Sequence, residues 1–236
     1  MSQDASRLAV RVTPDAARQV RGGHPWVFDG SITSVRPDGV AGDLAVIFDD
    51  RRRFMAIGLY DPASPIRIKV LHRGRPTPID DDFWSARLAD ALALRAIVVD
   101  DPATTAYRWV HGENDGLPGL VLDRYGDATV VKLYSAAWFA HLDAVVGAAQ
   151  RVLPAERVVL RLARNVAADR DRSDGTALVG EVPDRAVRFL ERGLTFEADL
   201  VHGQKTGHFL DQRDNRFRVR SRAAGARVLD VYSCTG

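Results

Sequence analysis

The hydrophobic residues change period part-way along the chain, and that change limits the fold more than any other feature. From Leu8 to about Leu71 they fall in short alternating or β-branched runs, LAVRV, DLAVIFDD, FMAIGLYD and IRIKVL, separated by Gly and Pro turns. This pattern predicts a small β barrel or sheet. HRGRPTPIDDD then supplies Pro, Gly and an acidic run, which marks a boundary and makes Asp81 or Asp82 the expected cap of a helix FWSARLADALALR, where Phe83, Leu88, Ala91, Leu92 and Arg95 recur at helical spacing. After a turn-rich connection the pattern alternates: strand TVVKLY, a helix from about Ala137 to Leu153 stopped by Pro154, and strand VVLRLA. From about Val187 come the strand pieces RFLERGLTFEADL, a GQKTG turn, a helix from Asp211 to about Ala223 and a last strand VLDVYS. The expected organisation is a multidomain α/β and α+β chain: a β domain over 6–76, a central α/β domain over 80–186, and the start of a further unit over 187–236.

Composition narrows the function. With 46% apolar residues in 236, the chain can fill real cores. No segment approaches about 18 consecutive apolar residues, and the amino terminus MSQDASRL has no apolar signal region, so a cytoplasmic protein without a membrane partner is expected. The single cysteine, Cys234, rules out an internal disulfide and any CxxC metal site. Net charge is only +2, but Lys and Arg outnumber Asp and Glu by 12 to 8 over 1–75 and by 9 to 6 over 186–236, whereas acids lead by 17 to 12 between them. Two basic segments flanking an acidic one suit nucleic acid contacted at both ends of the chain, and also suit ordinary solvated charge.

Four stretches carry candidate chemistry. VLDVYSCTG, Val228 to Gly236, has the parts of a nucleotide-site strand and glycine loop, in which Gly lets backbone approach a ligand; a strand with a Thr-Gly turn is also plain structure. GQKTGHFLDQRDNR, Gly203 to Arg216, brackets Gln204, Lys205 and Thr206 between glycines, so that amide, ammonium and hydroxyl could meet a polar ligand. Its helix sets Arg213, Arg216 and Arg220 in one basic stripe, with Leu210 and Phe217 on another face. The competing reading is a tight turn, a helix start and a solvated stripe. RQVRGGHPWVFDGSI gathers Arg18, Arg21 and His24 in a basic turn suited to RNA phosphates, with Trp26 and Phe28 expected as core anchors rather than as stacking platforms. GENDGLPGLVLDRYGD offers Glu113, Asp115 and Asp123 as hard oxygen ligands, but the spacing matches no EF-hand and Gly-Leu-Pro-Gly reads as a structural turn, so no metal is expected. The six histidines form no HxxxH pair, and no Ser sits in a GxSxG elbow.

RGGHPWVF, GENDGLPGLVLDRYGD, GQKTGHFLDQRDNR and VLDVYSCTG, in this order, closely resemble the class I S-adenosylmethionine-dependent ribosomal RNA methyltransferases of the large subunit methyltransferase I type, from about Leu8 to Gly236. The resemblance implies an amino-terminal PUA-like RNA-binding β barrel, a central α/β domain and the beginning of a Rossmann-like methyltransferase domain. It implies S-adenosylmethionine as cofactor, held by Gln204, Lys205, Thr206, Gly207, Phe209, Asp211 and Arg213 near its methionine end and by Asp230, Tyr232, Ser233, Thr235 and Gly236 below. His208 departs from the aromatic residue the family pattern leads one to expect. RNA, by the same resemblance large-subunit rRNA, would meet Arg18, Arg21, His24, Arg216 and Arg220. Related enzymes that methylate carbon 5 of cytosine use a Cys thiolate to attack carbon 6. Cys234 lies inside the cofactor motif, so no catalytic residue is assigned in this chain and the nucleophile is expected downstream, as is the acidic ribose ligand. VLDVYS as a parallel strand would need flanking strands and covering helices, which makes these residues the expected front of a longer protein. The alternative is a non-catalytic RNA-binding module. The pattern leaves the oligomeric state open, a homodimer included.

Overall fold

The computed structural model describes residues 6–166, 168 and 172–231. Strands β1 (Arg7–Val12), β2 (Trp26–Val27), β3 (Ile32–Arg36), β4 (Leu44–Phe48), β5 (Phe54–Tyr60) and β6 (Ile68–Arg73) form one curled sheet in the order β2-β6-β5-β4-β1-β3. β1 shows how the alternation works: Leu8, Val10 and Val12 point into the core while Arg7, Ala9 and Arg11 face out. Between β1 and β2 lies a helix that the sequence pattern did not predict, α1 (Pro14–Arg21). Thr13 caps it by accepting from the Ala16 N–H, Pro14 begins it, and Gly22 and Gly23 end it, Gly23 at φ +101°. Ala16, Ala17 and Val20 bury its inner face against the sheet. Arg18 and Arg21 therefore sit on the last turn of a helix, not in a basic turn.

α2 (Asp81–Ala93) is capped by Asp80, whose carboxylate accepts from the Phe83 N–H at 3.0 Å, one residue before the expected caps. The short α3 (Ala96–Val99) follows, and then β7 (Ala106–His111), which lies in what the sequence presented as a turn-rich connection. β8 (Leu120–Tyr125), β9 (Ala128–Leu133), α4 (Leu142–Val152), β10 (Arg157–Leu162) and β11 (Ala177–Val179) complete a second sheet in the order β11-β10-β9-β8-β7. β9 and β10 run parallel across the α4 crossover, and the other pairs are antiparallel. The expected helix from Ala137 is regular only from Leu142. The preceding Ala136–His141 segment is a 3₁₀ turn in which Ala137, Trp138 and Phe139 are all buried.

The two sheets share a core. Leu44, Ile57, Leu59 and Leu71 from the first pack with Trp84 and Leu88 of α2, Trp138 and the inner side chains of α4. Buried polar bonds fasten the same seam: Ser135 Oγ donates to Asp61 at 2.6 Å, and His141 Nε2 lies 2.7 Å from the Gly42 carbonyl oxygen. Gly42 is obligatory here, since it holds φ +98° and an added Cβ would stand 2.5 Å from that of Ala140.

Helices cover only one face of the second sheet. Its other face is covered by a hairpin, β12 (Val187–Glu191) and β13 (Leu194–Ala198), turned through Arg192 and Gly193 at positive φ. Phe189, Ala198 and Leu200 meet Ala106, Tyr125, Ala128 and Val130 there. A 3₁₀ turn (Leu210–Gln212) leads into α5 (Arg213–Arg222), which buries no residue fully. The strand expected over VLDVYS is not formed across Val228–Val231. Val228, Leu229 and Val231 are 61%, 86% and 62% exposed, and among the described residues no strand runs beside them to supply the hydrogen bonds a parallel strand requires. Tyr232, Ser233, Cys234, Thr235 and Gly236 lie outside the described residues. Among those described, no helix is long and apolar enough to cross a membrane.

Burial holds the His141 imidazole below its ordinary pKa, against the opposing pull of the Gly42 carbonyl and Asp43. A depressed folded pKa means that the unfolded chain takes up the proton first as pH falls. The stability His141 contributes is therefore complete above roughly pH 6.5, the ordinary histidine value, and declines as pH drops below it toward the folded pKa. Urea midpoints measured from about pH 8 to about pH 5 should fall, and His141→Gln should flatten that dependence.

Candidate functional site

The segment from Asp199 to Asp211 crosses the hairpin-covered face of the second sheet, and three neighbouring strands hold it by its backbone and one hydroxyl. From β10, Arg161 donates through Nη1 to the Leu200 and Gly203 carbonyls at 3.0 and 3.2 Å, while its Nε pairs with Asp174. From β9, Lys132 Nζ donates to the Lys205 carbonyl at 2.8 Å. From β8, Asp123 accepts from Thr206 Oγ1 at 2.6 Å and forms a two-pronged pair with Arg108 of β7 at 2.9 and 3.0 Å. Tyr125 completes the clamp: its hydroxyl lies 3.0 Å from Thr206 Oγ1 and accepts from the His208 N–H at 3.2 Å. Burial, then the Asp123 charge, pushes the Tyr125 hydroxyl well above its ordinary pKa, so it stays a neutral hydrogen-bonding group.

The loop is also closed internally. The Asp199 carboxylate accepts from the Val201 and His202 N–H groups, and the Asp199 carbonyl from Gly203 N–H at 3.1 Å. A Cβ at Gly203 would stand 2.3 Å from that carbonyl oxygen, and Gly207 holds φ +124°, so both glycines of GQKTG are required by geometry. Lys205 turns the chain at φ 56° between them.

This anchoring sorts the residues the sequence proposed for the cofactor. Thr206 is buried and spends its hydroxyl on Asp123 and Tyr125, so it fastens the loop and has no free hydroxyl for a ligand. Gln204, Lys205 and Asp211 are exposed; Lys205 Nζ lies 4.3 Å from the centre of the Phe209 ring and 3.8 Å from Asp211. These four bring an amide, an ammonium, an aromatic face and a carboxylate to one edge of the loop. Arg213 stands against Asp214 at 3.5 Å, in the shallow cleft lined by Glu191, Arg192 and Phe217. Asp230 is exposed and remote in sequence from the clamp, and Tyr232, Ser233, Thr235 and Gly236 lie outside the described residues. His208 is 2% exposed, its ring packed 5.1 and 5.3 Å from those of Phe189 and Phe196. Neither ring nitrogen has a hydrogen-bond partner among the described residues.

The residues proposed for RNA fall into two separate groups, with no hydrogen bond or ion pair between them among the described residues. On α1, Arg18 is solvated beside Asp15, and Arg21 donates to the buried Asp49 at 2.7 Å. His24 lies in an aromatic cluster with Trp26 and Phe28. Trp26 and Phe28 are not core: Phe28 is 41% exposed, and Trp26 is half-buried with its Nε1–H donated to Glu113 across the seam. A two-residue edge strand, β2, has too little sheet around it to cover either ring. On α5, Arg220 is exposed, but Arg216 is not a free cation: it makes a two-pronged pair with the buried Glu191 at 2.5 and 2.7 Å and donates to the Phe209 carbonyl. Of the acidic residues in GENDGLPGLVLDRYGD, Asp115 pairs with Arg95 and accepts from the His111 N–H, Asp123 pairs with Arg108 and accepts from Thr206, and Glu113 accepts from Trp26. From sequence, Asp123 is weighed only as a metal ligand, and no role is assigned to Tyr125, Lys132 or Arg161. Their signal is a charged or polar group in the middle of otherwise apolar strands, as in VVKLY and VVLRLA.

Residues 119–236 match the S-adenosylmethionine-dependent methyltransferase family, and residues 10–73 match PUA-like domains. The chain belongs to the S-adenosylmethionine-dependent methyltransferase family. The family match takes in β8, β9, β10 and the whole clamped loop. Among curated relatives, the chain is 48% identical over its full length to a ribosomal RNA large subunit methyltransferase of Deinococcus radiodurans, of which it spans 59%. It is 34% identical, over 96% of its length, to a ribosomal RNA large subunit methyltransferase I of Alteromonas mediterranea, of which it spans 57%. In fold it is similar to a putative SAM-dependent methyltransferase from Streptococcus mutans, with a TM-score of 0.76 at 19% identity over 92% of this chain and 55% of that one. A second solved structure, a putative methyltransferase complexed with SAH, gives a TM-score of 0.73 at 20% identity over 89% of this chain and 52% of that one.

Two substitutions test the clamp. Thr206→Val leaves Asp123 and Tyr125 each a partner short and should cost about 1–3 kcal/mol. Hydrogen exchange should quicken at Gly203–His208 while the first sheet is unchanged. His208→Phe keeps the aromatic packing and removes two unpartnered buried nitrogens, so the thermal midpoint should rise. Burial, and after it Arg216, lowers the His208 pKa against the pull of Glu191, so this variant should also lose less stability on acidification than the parent.

Proposed function

We propose that this chain supplies the RNA-facing front and one wall of the cofactor pocket of an S-adenosylmethionine-dependent ribosomal RNA methyltransferase acting on large-subunit rRNA. The observation that carries this reading is the clamped loop: its backbone is fixed by three strands while Gln204, Lys205, Phe209 and Asp211 keep their functional groups outward. That donor set fits the methionine end of the cofactor, with the Lys205 ammonium for its carboxylate, Asp211 for its ammonium and the Phe209 face for the cationic sulfonium region. When bound, the cofactor supplies a methyl group activated as a leaving sulfonium. The chain's own residues bind and orient it, and the stiffness of the clamp limits the reorganisation that binding costs. The names of the Deinococcus and Alteromonas relatives support ribosomal RNA as substrate.

The finer assignment is carbon 5 of a cytosine. That chemistry requires a cysteine thiolate to attack carbon 6, making carbon 5 nucleophilic toward the methyl group. Cys234 belongs to the cofactor motif, so the nucleophile and the acidic ribose ligand are assigned to sequence beyond this chain, which spans 59% of its Deinococcus relative. The exposed Val228, Leu229 and Val231 favour the same assignment, because apolar side chains of this kind are covered once a parallel sheet is built around them. In that arrangement the PUA-like domain over 6–76 and the central domain over 80–186 present RNA to the unit that starts near 187, with Arg18, Arg21, His24 and Arg220 facing phosphate.

Calorimetric titration of the full-length gene product with S-adenosylmethionine, followed by methyl transfer from labelled cofactor to large-subunit rRNA, tests the reading. Binding is expected, and Lys205→Ala should weaken it about tenfold. A full-length product that binds RNA but no cofactor would instead be an RNA-binding module without catalysis.

A further inference from the structure

We infer that Arg73, Arg75 and Arg87 form a phosphate-binding cleft for an RNA strand at the seam between β6 and α2, beside His24 and Trp26. The inference rests on the RNA reading above and places a contact that neither the sequence motifs nor the family matches point to. Several other half-buried or buried arginines have acidic partners, Arg95 with Asp115, Arg108 with Asp123, Arg161 with Asp174 and Arg216 with Glu191, whereas Arg124 stands alone among carbonyls and a hydroxyl. At this seam the three cations have none; among the described residues no carboxylate oxygen lies within 4.0 Å of any of them. They are held by neutral groups instead. Arg73 Nη2 donates to the Gly23 and His24 carbonyls at 2.8 Å each, and its buried Nε has no partner. Arg87 Nη2 donates to the Leu71 carbonyl at 3.2 Å, and its guanidinium lies 5.2 Å from the centre of the Phe83 ring. Arg75, exposed in the turn between β6 and α2, accepts from His72 Nε2 or Thr77 Oγ1 through its backbone carbonyl, and among the described residues its guanidinium has no hydrogen-bond or ion-pair partner.

All three charges act on His72. His72 lies among them, and after burial its pKa is lowered by Arg87, Arg75 and Arg73 in turn; Arg73 is itself lowered by burial and then by Arg87. Like charges gathered at a half-buried seam without acidic partners of their own raise the free energy of the unliganded protein, and a polyanion relieves it. The acid present at the seam, Glu113, is engaged by Trp26 Nε1–H at 3.0 Å. Beside the cations stand His24, Trp26 and Phe28, edge to face and partly exposed. Cations spread from a strand end to a helix face, with aromatic rings alongside, suit a nucleic acid backbone with a neighbouring base better than one small anion.

Fluorescence anisotropy of the full chain with a labelled RNA hairpin, across a series of salt concentrations, tests the cleft. Arg75→Gln and Arg87→Gln should each weaken binding about tenfold and reduce the steepness of the log affinity against log salt plot by about one. Arg185→Gln, at a fully solvated site distant in sequence, should change neither. If Arg87→Gln does not fold, Arg75→Gln and Arg87→Lys carry the same test, because a lysine cannot reproduce two-pronged phosphate contact. Salt-dependent RNA binding by the parent that is unaltered in these variants overturns the cleft and leaves the proposed function standing. No RNA binding by the parent overturns both. Inorganic phosphate binding that is lost in the variants while RNA affinity is kept makes this a small-anion site and also overturns the inference.

Discussion

The buried carboxylate of Asp123 is the point on which the site-bearing half of the chain depends. It is fully enclosed, and it is paired on one side with Arg108 from the neighbouring strand and on the other with the Thr206 hydroxyl. An ionised carboxylate in such a position is tolerable only when its lone pairs are occupied, and here both partners are supplied by different parts of the fold. The sheet therefore cannot satisfy Asp123 fully unless the loop is in place, and the loop is held in place by satisfying it. Tyr125, Lys132 and Arg161 extend the same logic over three strands: Tyr125 meets the Thr206 hydroxyl and the His208 N–H, and Lys132 and Arg161 donate to loop carbonyls that would otherwise be unpartnered.

This arrangement explains the unequal treatment of the two faces of the second sheet. Trp84, Trp109 and Trp138 fill the helix side with apolar volume, and that side also receives β4, β5 and β6 of the first sheet. The hairpin side has a small apolar patch around Phe189 and then gives way to polar anchoring. Rigidity on the first side and specific hydrogen bonding on the second let the loop display Gln204, Lys205, Phe209 and Asp211 at a fixed edge. The same division places the aromatic and arginine groups of the first sheet at a seam, where Glu113 of the second unit reaches across to Trp26.

Much of the fold was legible because hydrophobic period reports directly on which faces are covered. β1, β4, β5, β6, β9 and β10 and helices α2 and α5 follow the pattern closely, and α4 follows it from Leu142 onward. α1 was hidden because PDAARQVR carries only a narrow apolar face, and β7 because AYRWVH stands among Thr, Pro and Asp residues that suggest turns. The strand expected at VLDVYS did not form over Val228–Val231, since strand propensity cannot supply the neighbouring backbone that a strand needs. Trp26 and Phe28 were expected inside on the strength of size alone. Whether a large ring is covered depends on which strands and helices surround it, and β2 is too short and too near an edge.

The family, the order of the segments and the glycines of GQKTG are legible in the chain alone, because these follow from local backbone demands and from motifs read in series. Which polar groups of those motifs remain available depends on the folded arrangement. Thr206 turns inward to Asp123, Arg216 turns to Glu191, and Arg73, Arg75 and Arg87 have no acidic partner among the described residues. The physical reason is that a side chain's role is fixed by the partners that satisfy it, and those partners lie tens of residues away in the chain.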